Sequence, residues 1–141
     1  MRLKLLNRIA STTAFLMIAS FMLSSLVSEF IGNHVLIATV KRIIFYSLPV
    51  LIICMILTAA STKKLASLHH NIPYCLINVK RIKLMSLNGV IFLAPLATVL
   101  NYFAQNDKLD TRFYLLQSLE LLCGLINIFL FIKMFIGLKN N

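Results

Sequence analysis

Acidic side chains are the scarcest chemistry in this sequence: Glu29, Asp107, Asp110 and Glu120 stand against fourteen Lys and Arg. Tryptophan is absent, and 141 residues contain four glycines, three prolines and three cysteines. So little Gly and Pro excludes a collagen-like or low-complexity chain. Cys54, Cys75 and Cys123 have no C-x-x-C spacing, so neither zinc nor a disulfide framework is expected, and buried thiols are. There is no Walker loop, H-E-x-x-H or nucleophile motif, and the chain is not expected to be an enzyme. The net charge of +10 could suit nucleic acid. Here, however, the basic residues sit at the ends of apolar runs, with no soluble basic stripe and no aromatic platform, so no nucleic-acid partner is expected.

What the chain has in abundance is apolar length. It is 60% hydrophobic and 13% charged, with a mean hydropathy of +0.89, more apolar surface than one small soluble core can hide. Four apolar stretches, 9–31, 35–62, 82–104 and 113–138, each come close to the roughly 20 residues a helix needs to cross a bilayer core. The second could begin at Val35 or at Ile43. Backbone polar groups in lipid must be satisfied within their own segment, which makes these segments helices. The expected fold is all-α: one integral membrane domain of four transmembrane helices, antiparallel in an up-down-up-down bundle because the connections are short. Arg2, Lys4 and Arg8 before an apolar run suggest a signal peptide. The run from Ile9 to Val27 nevertheless exceeds the core of about 7–15 residues, and no A-x-A-like site follows, so the first span is expected to be retained.

Lys and Arg set the expected orientation. Ten of the fourteen fall on one side: Arg2, Lys4, Arg8, Lys63, Lys64, Lys80, Arg81, Lys83, Lys133 and Lys139. Lys41, Arg42, Lys108 and Arg112 fall on the other. The positive-inside rule then places both termini in the cytoplasm. The piece between the second and third spans, 63–81, has an apolar core too short to cross and is flanked by Lys63, Lys64, Lys80 and Arg81. It is expected to lie as an interfacial cytoplasmic loop against anionic lipid, turned by Pro73. His69 and His70 fall within it and read as solvated.

The fourth span carries the main anomaly, an acid inside an apolar helix. Gln117, Glu120, Gly124 and Asn127 recur at helical spacing, so the polar and smallest residues form one stripe that faces protein. An ionised carboxylate in hydrocarbon is costly, about 2.5–3.5 kcal/mol on the mildest insertion scale, so Glu120 needs a partner, water or a proton. Counting 1.5 Å per residue from the outer ends of the helices brings Lys41 and Arg42 to the same depth. A polar cluster is therefore expected in the outer half: Glu120 with Lys41 or Arg42, edged by Glu29, His34, Gln117 and Asn101. In a structural role the charges neutralise one another and fix helix register. In a functional role Glu120 exchanges a proton or binds a cation, tuned by Lys41. The depth, short of the midplane where transporters place their sites, favours the structural role.

Packing features accompany the cluster. Ser20, Ser24 and Ser28 suggest a small-residue face on the first helix, and Ala94, Thr98, Asn101 and Gln105 a similar one on the third. Pro49 and Pro95 are expected to bend their helices. Asn88, followed by Gly89, is expected to hydrogen-bond to another helix. No cofactor is expected. The histidines divide between His34 on one side and His69 with His70 on the other, so no two can clamp a haem within one monomer, although a His-Met or shared site leaves haem or quinone chemistry as a distant third reading.

The stretches "NGVIFLAP" (Asn88–Pro95) and "LDTRFYLLQSLELLCGLIN" (Leu109–Asn127) resemble a group of uncharacterised small bacterial four-helix inner-membrane proteins. That resemblance implies a multi-pass protein of the bacterial inner membrane and transfers no activity. Small multidrug transporters are similar in size, but their mid-membrane acid on the first helix has no counterpart here. The expectation is an accessory or assembly subunit of a membrane complex, partnered by lipid and by other membrane proteins or itself. The alternative is a proton- or cation-coupled transporter working as a homo-oligomer.

Overall fold

A computed structural model describes residues 2–68 and 73–139, with side chains for 2–68 and 77–136. Its elements are α1 (Arg2–Ile31), α2 (His34–Leu68), α3 (Pro73–Asn88), a π-helical turn (Gly89–Leu93), α4 (Ala94–Gln105) and α5 (Thr111–Lys139). Four stretches are long and apolar enough to cross a membrane: Arg2–Ile31, His34–Leu68, Ile77–Gln105 and Thr111–Ile136. The third combines α3, the π turn and α4. The described chain is thus all-helical, in keeping with a multi-pass membrane protein.

Local chemistry explains where the helices stop. Gly32, with φ +71°, closes α1 in the left-handed region that side chains avoid, and its N–H reaches back to the Ser28 carbonyl at 3.2 Å. Asn33 then caps α2, its Oδ1 accepting from the N–H groups of Val35 and Leu36 at 3.0 and 3.3 Å. Asp110 does the same for α5 through the Phe113 N–H at 3.2 Å. The expected loop at 63–81 is a correction: α2 runs on to Leu68 and α3 starts at Pro73. A helix can leave the bilayer without losing its backbone bonds, Lys63 and Lys64 are exposed there, and Pro lacks only an N–H that the first helical turn leaves unused. His69 and His70 lie outside the described residues, as does the side chain of Cys75.

The buried faces follow a 3.5-residue repeat. On α2 they are Ile37, Lys41, Ile44, Leu48, Leu51, Met55, Thr58 and Thr62; on α5 they are Phe113, Gln117, Gly124, Asn127, Phe131 and Met134, with the largely buried Glu120 in phase. Such alternation of four and three keeps one seam of each helix turned inward. The same rhythm on α1 passes through Asn7, Ser11, Ala14, Ile18, Ser25 and Ser28. This corrects the expected four-residue stripe: Ser20 is exposed, and Ser24 bonds back to the carbonyls of Ser20 and Phe21 in its own helix. Contacts run in opposite order along neighbours. Asn7 meets Ser61 while Ser25 meets Lys41, and Arg81 meets Lys133 while Asn88 meets Asn127.

The third span breaks the rhythm once. Asn78, Ile82, Met85 and Gly89 face inward, then Leu96 and Ala97 together, Leu100 and Ala104, so that the Ala97–Leu100–Ala104 phase is one residue late relative to Gly89. The π turn absorbs that residue. The Ala94 N–H bonds to the Gly89 carbonyl, five residues back, and Pro95, having no N–H, could not give Ile91 an ordinary helical bond. At Pro95 the span widens into the π turn, and Pro49, exposed, lies inside the helix α2. Deleting Ile91 is expected to turn the π segment into ordinary α-helix and leave folded yield within about twofold of the parent. Deleting Val99 rotates the rest of α4 by about 100° and is expected to abolish the folded peak in detergent size-exclusion chromatography. Equal losses for both deletions would refute the phase-correction account.

Two apolar regions fill the bundle. Near the turns at Gly32 and Asp107 lie Ile37, Leu100, Ala104 and Phe113. The larger region contains Ile18, Leu51, Met55, Met85, Phe131 and Met134, with Phe15 of α1 meeting Phe131 and Phe135 of α5 edge-on and those two rings stacked on each other within α5. Gly89 leaves room for Met55, whose sulfur would stand 2.9 Å from an added Cβ.

A candidate intramembrane ion-pair site

Lys41 occupies a seam position on α2, so its side chain has to run inside the bundle, and it is 1% exposed. It lies seven residues from the start of α2, Glu120 nine from the start of α5 and Ser25 six from the end of α1. At 1.5 Å per residue these are depths of about 10, 13 and 9 Å from the same end of the bundle. The side chains meet there. Lys41 Nζ donates to Glu120 Oε2 at 2.6 Å and to Ser25 Oγ at 3.1 Å, and Glu120 is 11% exposed. Among the described residues this is the single salt bridge. Neither charge would be tolerated alone at an apolar seam, and together they present no net charge to it.

The other expected members divide. Gln117, one turn from Glu120, is 1% exposed with both amide atoms unpartnered. Glu29, one turn beyond Ser25, is half-buried, and its Oε1 is buried without a donor. Arg42 is not the partner of Glu120. One residue on from Lys41 points about 100° away, and Arg42 is exposed, donating to Gln105 Oε1. Gln105 Nε2 in turn donates to the Ala38 carbonyl at 2.8 Å and to Asn101 Oδ1 at 3.3 Å. Asn101 therefore belongs to this second branch, which joins α2 to α4. His34 is also separate, exposed at the first position of α2.

Two further polar levels cross the bundle. Asn88 Nδ2 donates to the Cys123 carbonyl and to Asn127 Oδ1, both at 2.9 Å, the interhelical role expected of it. Asn7 Nδ2, which drew no notice in the sequence, reaches the Thr58 carbonyl at 3.2 Å and the hydroxyls of Ser61 and Thr62 at 2.8 Å. Its seam spacing to Ala14 and Ile18 was the available signal, as it was for Ser25.

Beside the ion pair is a cavity of about 40 Å³, bordered by Ser25, Ile44, Ala97, Glu120 and Gly124 among others. That is room for a few waters and not for an organic molecule. Among the described residues no three His, Cys, Asp or Glu side chains are grouped to hold a metal ion. What the arrangement can do chemically is neutralise charge and fix helix register. Comparison with protein-family models, curated proteins and solved structures finds no match.

Proposed function

We propose that this chain is a non-enzymatic accessory or assembly subunit of a larger membrane complex, in a bacterial inner membrane with both termini cytoplasmic. The observation that carries the reading is the way its intramembrane charges are used. Lys41 is held by Glu120 and Ser25 from two other helices, as a lock on register and depth requires. The cavity beside it is too small for an organic substrate. The outward faces are apolar, with residues such as Leu23, Ile53, Leu122 and Phe129 exposed on three helices, suited to lipid and to the helices of partner proteins. The ten Lys and Arg at the end bearing the termini support the orientation.

Native mass spectrometry of the protein extracted from its own membrane in mild detergent tests this. A stoichiometric complex with other polypeptides is the expected result. A homo-oligomer free of other subunits would displace this reading in favour of a proton- or cation-coupled transporter.

A further inference from the structure

The end of the bundle where α2 reaches Leu68 is basic, and it has no acidic side chain to answer it. Glu29, Asp107, Asp110 and Glu120 all fall toward the other end. Arg81 and Lys133 stand out among the cations because they share a groove between α3 and α5. Arg81 is half-buried there, its Nη1 donating to the Lys133 carbonyl at 3.2 Å and to Asn78 Oδ1 at 3.4 Å. Among the described residues nothing engages its Nε or Nη2. Lys133 is exposed on α5, its ammonium 4.5 Å from the centroid of the Phe129 ring.

Two independent sets of contacts fix the level of this groove. Lys41 meets Glu120, and α2 and α5 run the same way, both antiparallel to α1. Counting onward from that pair, Lys133 stops nine residues short of the level of Lys63, about 13 Å. Through α1, Phe15 meets Phe131 and Phe135, while Asn7, eight residues nearer the basic end, meets Ser61 and Thr62, a separation of about 12 Å. Over that stretch the α1–α2 side is apolar surface, with Leu5, Ile9, Ile53 and Ile56 exposed. The α3–α5 side therefore presents two cations at a level where the other side presents itself to hydrocarbon. Cations there are costly without a counter-charge, and Glu120, the nearest acidic side chain along α5, is about 20 Å away.

We propose that the groove between α3 and α5 at Arg81 and Lys133 binds the phosphate of an anionic phospholipid, whose headgroup is drawn inward to this level. Nε and Nη2 form one edge of the guanidinium, a fork that fits two phosphate oxygens, and the Lys133 ammonium adds a second positive charge. A zwitterionic headgroup brings its own cation and leaves the pair uncompensated. Leu84 on α3 and Ile126 on α5, exposed on the side toward the middle of the bundle, give the acyl chains a surface to lie along. The site does not depend on the accessory role.

Native mass spectrometry of the purified full-length protein, titrated in mild detergent with dioleoyl-phosphatidylglycerol or dioleoyl-phosphatidylcholine, tests it. One phosphatidylglycerol is expected to be retained in preference to phosphatidylcholine. Arg81→Gln and Lys133→Gln should each weaken its binding about fivefold, the effect of one basic charge facing anionic lipid. Lys133→Gln keeps the backbone carbonyl that holds Arg81, so its loss is not one of folding. The double variant Lys63→Gln with Lys64→Gln removes two exposed charges from the same end on α2 and should leave retention unchanged. Equal losses in that double variant would overturn the proposal in favour of diffuse attraction to a basic end, as would equal retention of the two lipids. Displacement of the lipid by inorganic phosphate would assign the groove to the free ion. A polypeptide that co-purifies from the native membrane and is lost with Lys133→Gln would assign it to a partner's carboxylate.

Discussion

Lys41→Met is expected to destabilise the folded bundle by about 3–5 kcal/mol at neutral pH, the usual result of removing one partner of a buried ion pair. The methionine fills much of the lysine's volume, so the loss comes from electrostatics: Glu120, 11% exposed, keeps its carboxyl in an apolar seam with no cation. Glu120→Gln is expected to be milder, because Lys41 retains its Ser25 partner and the glutamine can still accept from it. The double variant Lys41→Met with Glu120→Gln should recover most of the stability lost in Lys41→Met, as replacing both members of a buried pair often does. Detergent-titration unfolding in mixed micelles would measure all three. A double variant no better than Lys41→Met would show that the loss lies in packing.

Phe131→Ala is expected to cost about 3 kcal/mol, toward the lower end of the range for emptying a buried aromatic site. Phe131 is fully buried and touches the rings of Phe15 and Phe135, with centroids 6.0 and 6.1 Å away. Inside a membrane the usual transfer term shrinks, since lipid is as apolar as the core. The lost dispersion contacts and the void remain, because lipid cannot reach a site closed by α1 and α5. Phe131→Leu should cost markedly less. The same unfolding assay separates them, and equal losses would mean that ring geometry rather than volume sets the stability.

The sequence made the four spans legible because length and hydropathy are properties of a segment on its own. Lys41 and Glu120 were also legible together, because helix rise converts residue number into depth and an acid in oil demands a partner. Lys41 and Arg42 share that depth. What separates them is rotation about the helix, which is fixed by the seam running from Ile37 to Thr62. Rotation also misled the reading of the serines. A repeat of four at Ser20, Ser24 and Ser28 is conspicuous, while a repeat of 3.5 passing through Ser25 is visible only against a neighbouring helix. His34 shares a face with Lys41 by spacing, yet it begins its helix and stays exposed. The π turn at Gly89–Leu93 was hidden because a surplus residue in the seam means nothing until both halves of the span have been docked.

Chain order gives the Lys41 contacts a further meaning, in time. Its salt-bridge partner lies 79 residues later in the chain, whereas Ser25 lies 16 earlier. At about 5–20 residues per second, a ribosome adds Glu120 roughly 4–16 seconds after Lys41. Throughout that interval Ser25 and Glu29 already exist, on the helix joined to α2 by a two-residue turn. The α1–α2 hairpin thus carries its own provisional hydrogen-bond acceptor for a lysine bound for oil, and α5, arriving last, completes the arrangement.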